Sequence, residues 1–128
     1  MRNISCALTK DQIRARTKTV TRRLGWRDLQ VGERLQFCEK CMGRKTGEPL
    51  VKVAVVEVVS VRREKLRRMT DELFYGIEEV KREGFSYSCH AEKWAACFIQ
   101  FFCTTHSKGL NQPCTPETEI TRIEFKYV

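Results

Sequence analysis

The stretch RARTKTVTRR, residues 14–23, places five cationic side chains and three threonines in ten positions. A solvated helix face would set Glu or Gln between its cations. Here β-branched hydroxyl residues alternate with the charges, and that pattern favours extended backbone. On an extended strand Thr19, Thr21 and Arg23 share one face, and Lys18 and Arg22 take the other. Lys18 reaches the Thr21 hydroxyl only where the chain turns between them. An ammonium beside a threonine oxygen makes the alkoxide easier to form, and a desolvated lysine is itself a base. The chemistry would be nucleophilic attack within an anion-binding strand. The same residues equally fit a half-exposed strand with solvated cations.

A second chemistry-bearing set is the cysteines. Cys38-Glu-Lys-Cys41 is a C-x-x-C knuckle, Cys103-Thr-Thr-His106 offers C-x-x-H, and Cys114 follows shortly after. Zinc takes four tetrahedral sulfur or nitrogen ligands, often as two close pairs. Cys38, Cys41, Cys103 and Cys114, with His106 as substitute, would make a structural zinc site joining the first hairpin to the last helix. The alternative is separate thiols, with Cys38 in a strand core and Cys103 on a helix. Cys6, Cys89 and Cys97 read as ordinary thiols and His90 as a surface residue.

Lys and Arg number 24 against 16 Asp and Glu, a net charge of +8, which suits polyanionic partners. Arg62, Arg63, Lys65, Arg67 and Arg68 form a second basic cluster, and Arg44 and Lys45 a third. With Arg14, Arg16, Arg22 and Arg23 they could contact phosphates, giving salt-dependent, sequence-neutral affinity; otherwise they are solvated loops. Trp26, beside Gly25, could stack a base at a pocket mouth or pack under the rim. The N-terminus has no export signal and no stretch approaches the ~20 apolar residues of a membrane span. The seven cysteines, an odd number, are therefore expected to be cytosolic thiols in a cytoplasmic protein.

The elements that must position these residues follow from periodicity. The length of 128 residues fits one domain, residues 1–128. Strands are expected over 4–8, 17–23, 33–41, 50–63 and 119–128, with 33–41 and 50–63 paired as a hairpin around the turn 43–49. In the long strand Val51, Val53, Val55, Val59 and Val61 share one parity; Glu57 interrupts the row, pointing into a polar pocket or marking a bulge. Helices are expected over 10–16 (capped by Thr9), from Thr70 to the stop at Gly84, and over 91–102. The aromatic spacing of Trp94, Phe98, Phe101 and Phe102 marks a packed helix face rather than a stacking platform. The result is an α+β chain, a small mixed β-barrel with about three flanking helices.

RTKTVTRRLGW, GERLQFCEKCMG, REGF and the terminal TRIEFKYV together resemble the ASCH domain, a PUA-like β-barrel family whose relatives bind RNA or modified bases. The resemblance spans nearly the whole chain and is nearest to bacterial and phage-borne single-domain members. It implies an RNA or a modified nucleoside as partner. One class of such proteins, the N4-acetylcytidine amidohydrolases, carries a lysine-threonine-x-threonine motif and a later glutamate. That similarity places the lysine on Lys18, the nucleophile on Thr21 and the glutamate on Glu83, with a further acid at Glu57. It implies attack by Thr21 on the acetyl carbonyl, Lys18 easing its deprotonation, Glu83 moving the proton, and Arg22 and Arg23 holding a phosphate or the oxyanion. LFYGIE (73–78) reads as an insertion relative to that class, which would displace Glu83, and Glu83 before a helix-ending glycine can equally lie in solvent. A non-catalytic RNA-binding module and a ribonuclease are the competing functions.

Overall fold

The computed structural model describes residues 1–106 and 112–128. Its backbone is organised by a fourteen-residue strand rich in valine, Lys52–Lys65. In chain order the elements are β1 Arg2–Ser5, α1 Lys10–Arg14, β2 Val20–Arg23, β3 Arg34–Cys38, β4 Lys52–Lys65, α2 Arg68–Asp71, α3 Leu73–Arg82, a 3-10 turn Ala91–Lys93, α4 Trp94–His106 and β5 Glu119–Tyr127. The strands form one curled sheet, a half-barrel, in the order β1-β3-β4-β5-β2. β1 and β3 run parallel; every other neighbouring pair is antiparallel, including the expected β3–β4 hairpin.

β5 sits between β4 and β2 and separates two apolar clusters. One cluster contains Ile4, Ile13, Leu35, Phe37, Val56, Val58, Ile123 and Phe125. The other, built mainly from the helices, contains Leu66, Met69, Val80, Phe98, Ile99, Phe102 and Ile120. Ile120 and Ile123 have opposite parity on β5, so this strand is buried on both faces from Ile120 to Ile123.

Several expected boundaries move. The fully buried valines of β4 are Val56 and Val58, not the odd-numbered row, and Val59 is exposed. The register shifts between Val58 and Ser60, a bulge that lies just past Glu57. Thr9 makes no side-chain cap on α1. The helix expected from Thr70 is two helices, broken at Glu72 with extended backbone (φ −123°, ψ 104°). Thr70 lies inside α2 and donates its hydroxyl to the Arg67 carbonyl. The two helices pack tightly. A Cβ at Gly76 would stand 2.0 Å from the Met69 carbonyl oxygen and 3.0 Å from Ala95 Cβ, so α3 passes α2 and α4 too closely for any side chain there. No helix among the described residues is long and apolar enough to cross a membrane.

Candidate functional site

The cleft begins with a turn, which is why strand parity alone misplaces Lys18. β2 starts at Val20, after Arg16 has taken left-handed backbone (φ 60°) and the Thr17 and Lys18 amides have bonded back to the Gln12 carbonyl. The Thr19 amide then donates to Arg82 O at 2.8 Å, tying this turn to the end of α3. Gly84, with φ 91°, lets α3 end against α1 and Lys18; a Cβ there would meet Gln12 at 2.9 Å and Lys18 Cβ at 3.3 Å. Glu83, the residue after α3, is delivered to the lysine by that close approach.

Lys18 Nζ donates to Glu83 Oε1 at 2.8 Å and to the Glu83 carbonyl at 2.9 Å. Arg22 Nη1 donates to the other carboxylate oxygen at 3.2 Å. Thr21 Oγ1 accepts from Arg23 Nε at 3.0 Å, and Arg23 Nη2 donates to Ser5 O at 2.6 Å. Lys18, Thr21, Arg22, Arg23 and Glu83 line one cleft of about 230 Å³, whose other wall is Phe85, Phe98, Phe101, Phe102 and His106. The aromatic face of α4 thus serves two purposes: Phe98 and Phe102 are core residues, and its flank with the more exposed Phe101 walls the cleft. His106 stacks on Phe102 at 4.1 Å. Burial pulls the Lys18 ammonium below the ordinary lysine range, with the charge of Glu83 opposing that pull.

Behind the cleft lies an ionic network that the sequence did not disclose. Lys18, Arg22 and Arg122 are buried with Glu64, Glu79 and Glu83, three cations against three carboxylates. Arg22 Nη2 reaches Glu79 Oε1 at 2.7 Å, Glu64 Oε2 at 3.1 Å and the Tyr75 hydroxyl at 3.3 Å. Arg122 grips Glu79 with Nε and Nη2. Tyr75 donates to Glu64, and Arg68 lies 4.4 Å over its ring. Burial works against the Glu79 carboxylate, yet Arg122 and Arg22 outweigh it and hold its pKa down at about 2. A clue was available: Glu79 precedes Glu83 by four residues, one helical turn, and Arg122 shares the strand face of the apolar Ile120 on β5. Tyr75 comes from the LFYGIE segment, so this apparent insertion supports the site instead of displacing Glu83.

The remaining candidates are dispersed. Arg22 is interior and unavailable to an external phosphate, with no carbonyl or carboxylate on its Nε. Arg23 is bound to Thr21 and Ser5, while Glu124, a carboxylate on β5 two residues past Arg122, pairs with Arg122. Glu57 is outside the cleft, paired with Lys126 at 3.2 Å and Arg34 at 3.8 Å. Trp26 packs on the first apolar cluster with Arg2 over its ring, not at the cleft mouth. Arg16 lies over Tyr127, while Arg62 bonds Glu64 and Tyr75. Arg63, held by Glu119 and the Thr121 hydroxyl, borders a separate depression with Arg27 and Gln30. Cys103 and Cys114 meet, but no group of three or more His, Cys, Asp or Glu among the described residues is arranged to hold a metal. Cys38, whose thiol faces the Gln36 carbonyl, does not join that pair, and His106 bonds the Phe102 carbonyl, so the four-ligand zinc set is not assembled. Cys6 is buried; Cys89 faces Cys97 at 3.9 Å; His90 is exposed.

No protein-family model matches the chain, and no curated protein matches it significantly. Solved structures do. An ASCH domain from Lactobacillus crispatus JV V101 is similar with TM-score 0.59 and 16% identity, over 98% of this chain and 79% of that one. A protein of Enterococcus faecalis V583, assigned to the DUF984 family, gives TM-score 0.60 and 12% identity, over 93% of this chain and 66% of its own. The hypothetical protein PH0355 gives TM-score 0.54 and 17% identity, over the full length of both chains. The chain therefore spans just under two thirds of the Enterococcus protein. At these identities the likeness establishes a shared fold, the small ASCH/PUA-like one.

Proposed function

We propose that this chain, built on the ASCH/PUA-like fold, takes a modified pyrimidine of a nucleoside or an RNA into its cleft and hydrolyses an exocyclic acyl amide, as in N4-acetylcytidine. The observation that carries this reading is the convergence of Lys18, Glu83 and Thr21 from distant chain segments on one cleft with an aromatic wall. A volume of about 230 Å³ falls below the ~300–1,000 Å³ usual for drug-sized ligands, so it suits one base with its acyl group.

In the proposed reaction the Thr21 hydroxyl attacks the acyl carbonyl. Lys18, lowered in pKa by burial, takes the hydroxyl proton, and the Arg23 guanidinium bonded to Oγ1 favours the developing alkoxide. Glu83 passes the proton to the departing amine as the C–N bond breaks, leaving an acyl ester on Thr21. Water activated by Glu83 then releases the carboxylic acid. The phenylalanine wall excludes bulk water and offers a planar base an apolar face.

A second reading, RNA binding without chemistry, is favoured by Arg27, Arg62 and Arg63 around the separate depression. Purified protein is incubated with N4-acetylcytidine and with RNA carrying it, and cytidine release is followed beside Thr21→Ala. Release lost in that variant supports hydrolysis. Release that survives removes Thr21 as nucleophile, and salt-sensitive RNA binding without release selects the binding module. Zinc content is measured separately in chelator-free protein, where less than about half an equivalent would count against the four-cysteine site.

A further inference from the structure

Helix α4 presents two stripes. Phe98, Phe102 and Thr105 face the cleft, whereas Ala96, Ile99, Gln100 and Cys103 border an apolar groove of about 270 Å³. Cys114, Pro116 and Thr70 complete that groove, which has no charged lining residue. Within it the Cys103 and Cys114 sulfurs lie 2.8 Å apart, both half-buried against the second apolar cluster. A disulfide needs an S–S separation of ~2.05 Å, so closure requires only about 0.8 Å of further approach.

We propose that Cys103 and Cys114 are a covalent modification site, a dithiol that closes to a disulfide by exchange with a low-molecular-weight disulfide such as oxidised glutathione. The Cys114 thiolate attacks one sulfur of the small disulfide, whose S–S bond breaks and expels one small thiolate. The Cys103 thiolate then attacks the Cys114 sulfur, forming the protein disulfide and expelling the second. The two protons given up by the cysteines end on the two small thiols, so one disulfide is reduced as one is made. Burial first, and the neighbouring thiol second, push the Cys103 thiol up to about 12; exchange opened by Cys103 and resolved by Cys114 gives the same disulfide. Once Cys114 is in the mixed disulfide, its thiol no longer contributes to that shift.

The product ties the last turn of α4 to the segment entering β5. Cys97 on the same helix and Cys89 in the loop before it, at 3.9 Å with Cys89 exposed, are a comparator pair. The inference does not rest on the hydrolase reading.

Folded full-length protein is treated with oxidised glutathione, capped with an alkylating reagent, digested and mapped by mass spectrometry. A peptide linking Cys103 to Cys114 is expected, together with a reductant-reversible rise in Tm of about 5 °C. Cys103→Ser is expected to retain glutathione on Cys114, because the resolving thiol is gone. Cys103 recovered fully alkylated in wild-type protein, or linked to another cysteine, overturns the proposal. So does Cys103→Ser protein without the Cys114 adduct; this serine variant keeps the side chain's size and its folding is checked by circular dichroism.

Discussion

Lys18 Nζ lies 2.8 Å from Glu83 Oε1, although 65 residues separate the two along the chain, and both side chains are only 3% exposed. A buried pair of this kind is costly to break singly, because the survivor stays charged and desolvated. Lys18→Met and Glu83→Gln are each expected to lose about 3 kcal/mol in urea denaturation, and the double variant less than the sum. Additive losses would show that the two groups are not coupled.

Glu79 sets the acid limit. Its folded pKa of about 2 lies below the ordinary 4.5, so its stabilising contribution is present above pH 4.5 and fades as pH falls through 2. That shift corresponds to about 3 kcal/mol. Denaturation across pH 6 to pH 2 should show this loss, and Glu79→Gln should be destabilised at neutral pH with a flatter acid limb. A variant with the wild-type acid slope would remove Glu79 as its source.

Lys18 governs the alkaline behaviour of the proposed reaction. Its ammonium is held below the ordinary 10.5, so acyl release should rise with pH through an apparent pKa lower than that of a free lysine. Lys18→Met is expected to lose that limb along with about 100-fold or more of the rate. A profile unchanged by the substitution would assign the proton to another group.

Gly76 is a packing test independent of the cleft. With the Met69 carbonyl 2.0 Å from an added Cβ, Gly76→Ala must push α2 and α3 apart. A loss of about 1–3 kcal/mol is expected from overpacking, whereas helix propensity alone predicts a gain of up to about 1 kcal/mol. The sign of the measured change decides between them.

The depression bordered by Arg27 and Arg63 separates surface phosphate contact from interior charge. If RNA docks there, Arg27→Ala should reduce the slope of log affinity against log salt by about 1, and Arg14→Ala, at the ion pair with Glu39, should leave it unchanged. Equal effects would place the RNA elsewhere.

The long valine run, the closing strand and the aromatic helix were legible because each carries its own period: two for β4 and β5, 3.6 for α4. Their edges were less so. The break at Glu72 accompanies a close approach of Gly76 to Met69, a contact with no local signal. Arg22 read as a surface cation because charge runs usually are solvated. Glu64, Glu79 and Tyr75, which bury it, arrive from β4 and α3 and share no motif with β2. The cysteine spacing suggested four ligands; among the described residues Cys103 meets Cys114, and no group of three or more such side chains comes together.

Composition and periodicity by themselves determined a basic α+β chain with a valine-rich central strand and a hydroxyl-bearing cationic segment, since these depend on neighbours a few residues apart. Which cations face solvent, and whether Glu83 meets Lys18, was decided only when α3 ended at Gly84 against α1. That contact joins segments far apart in the chain, and no short-range pattern encodes it.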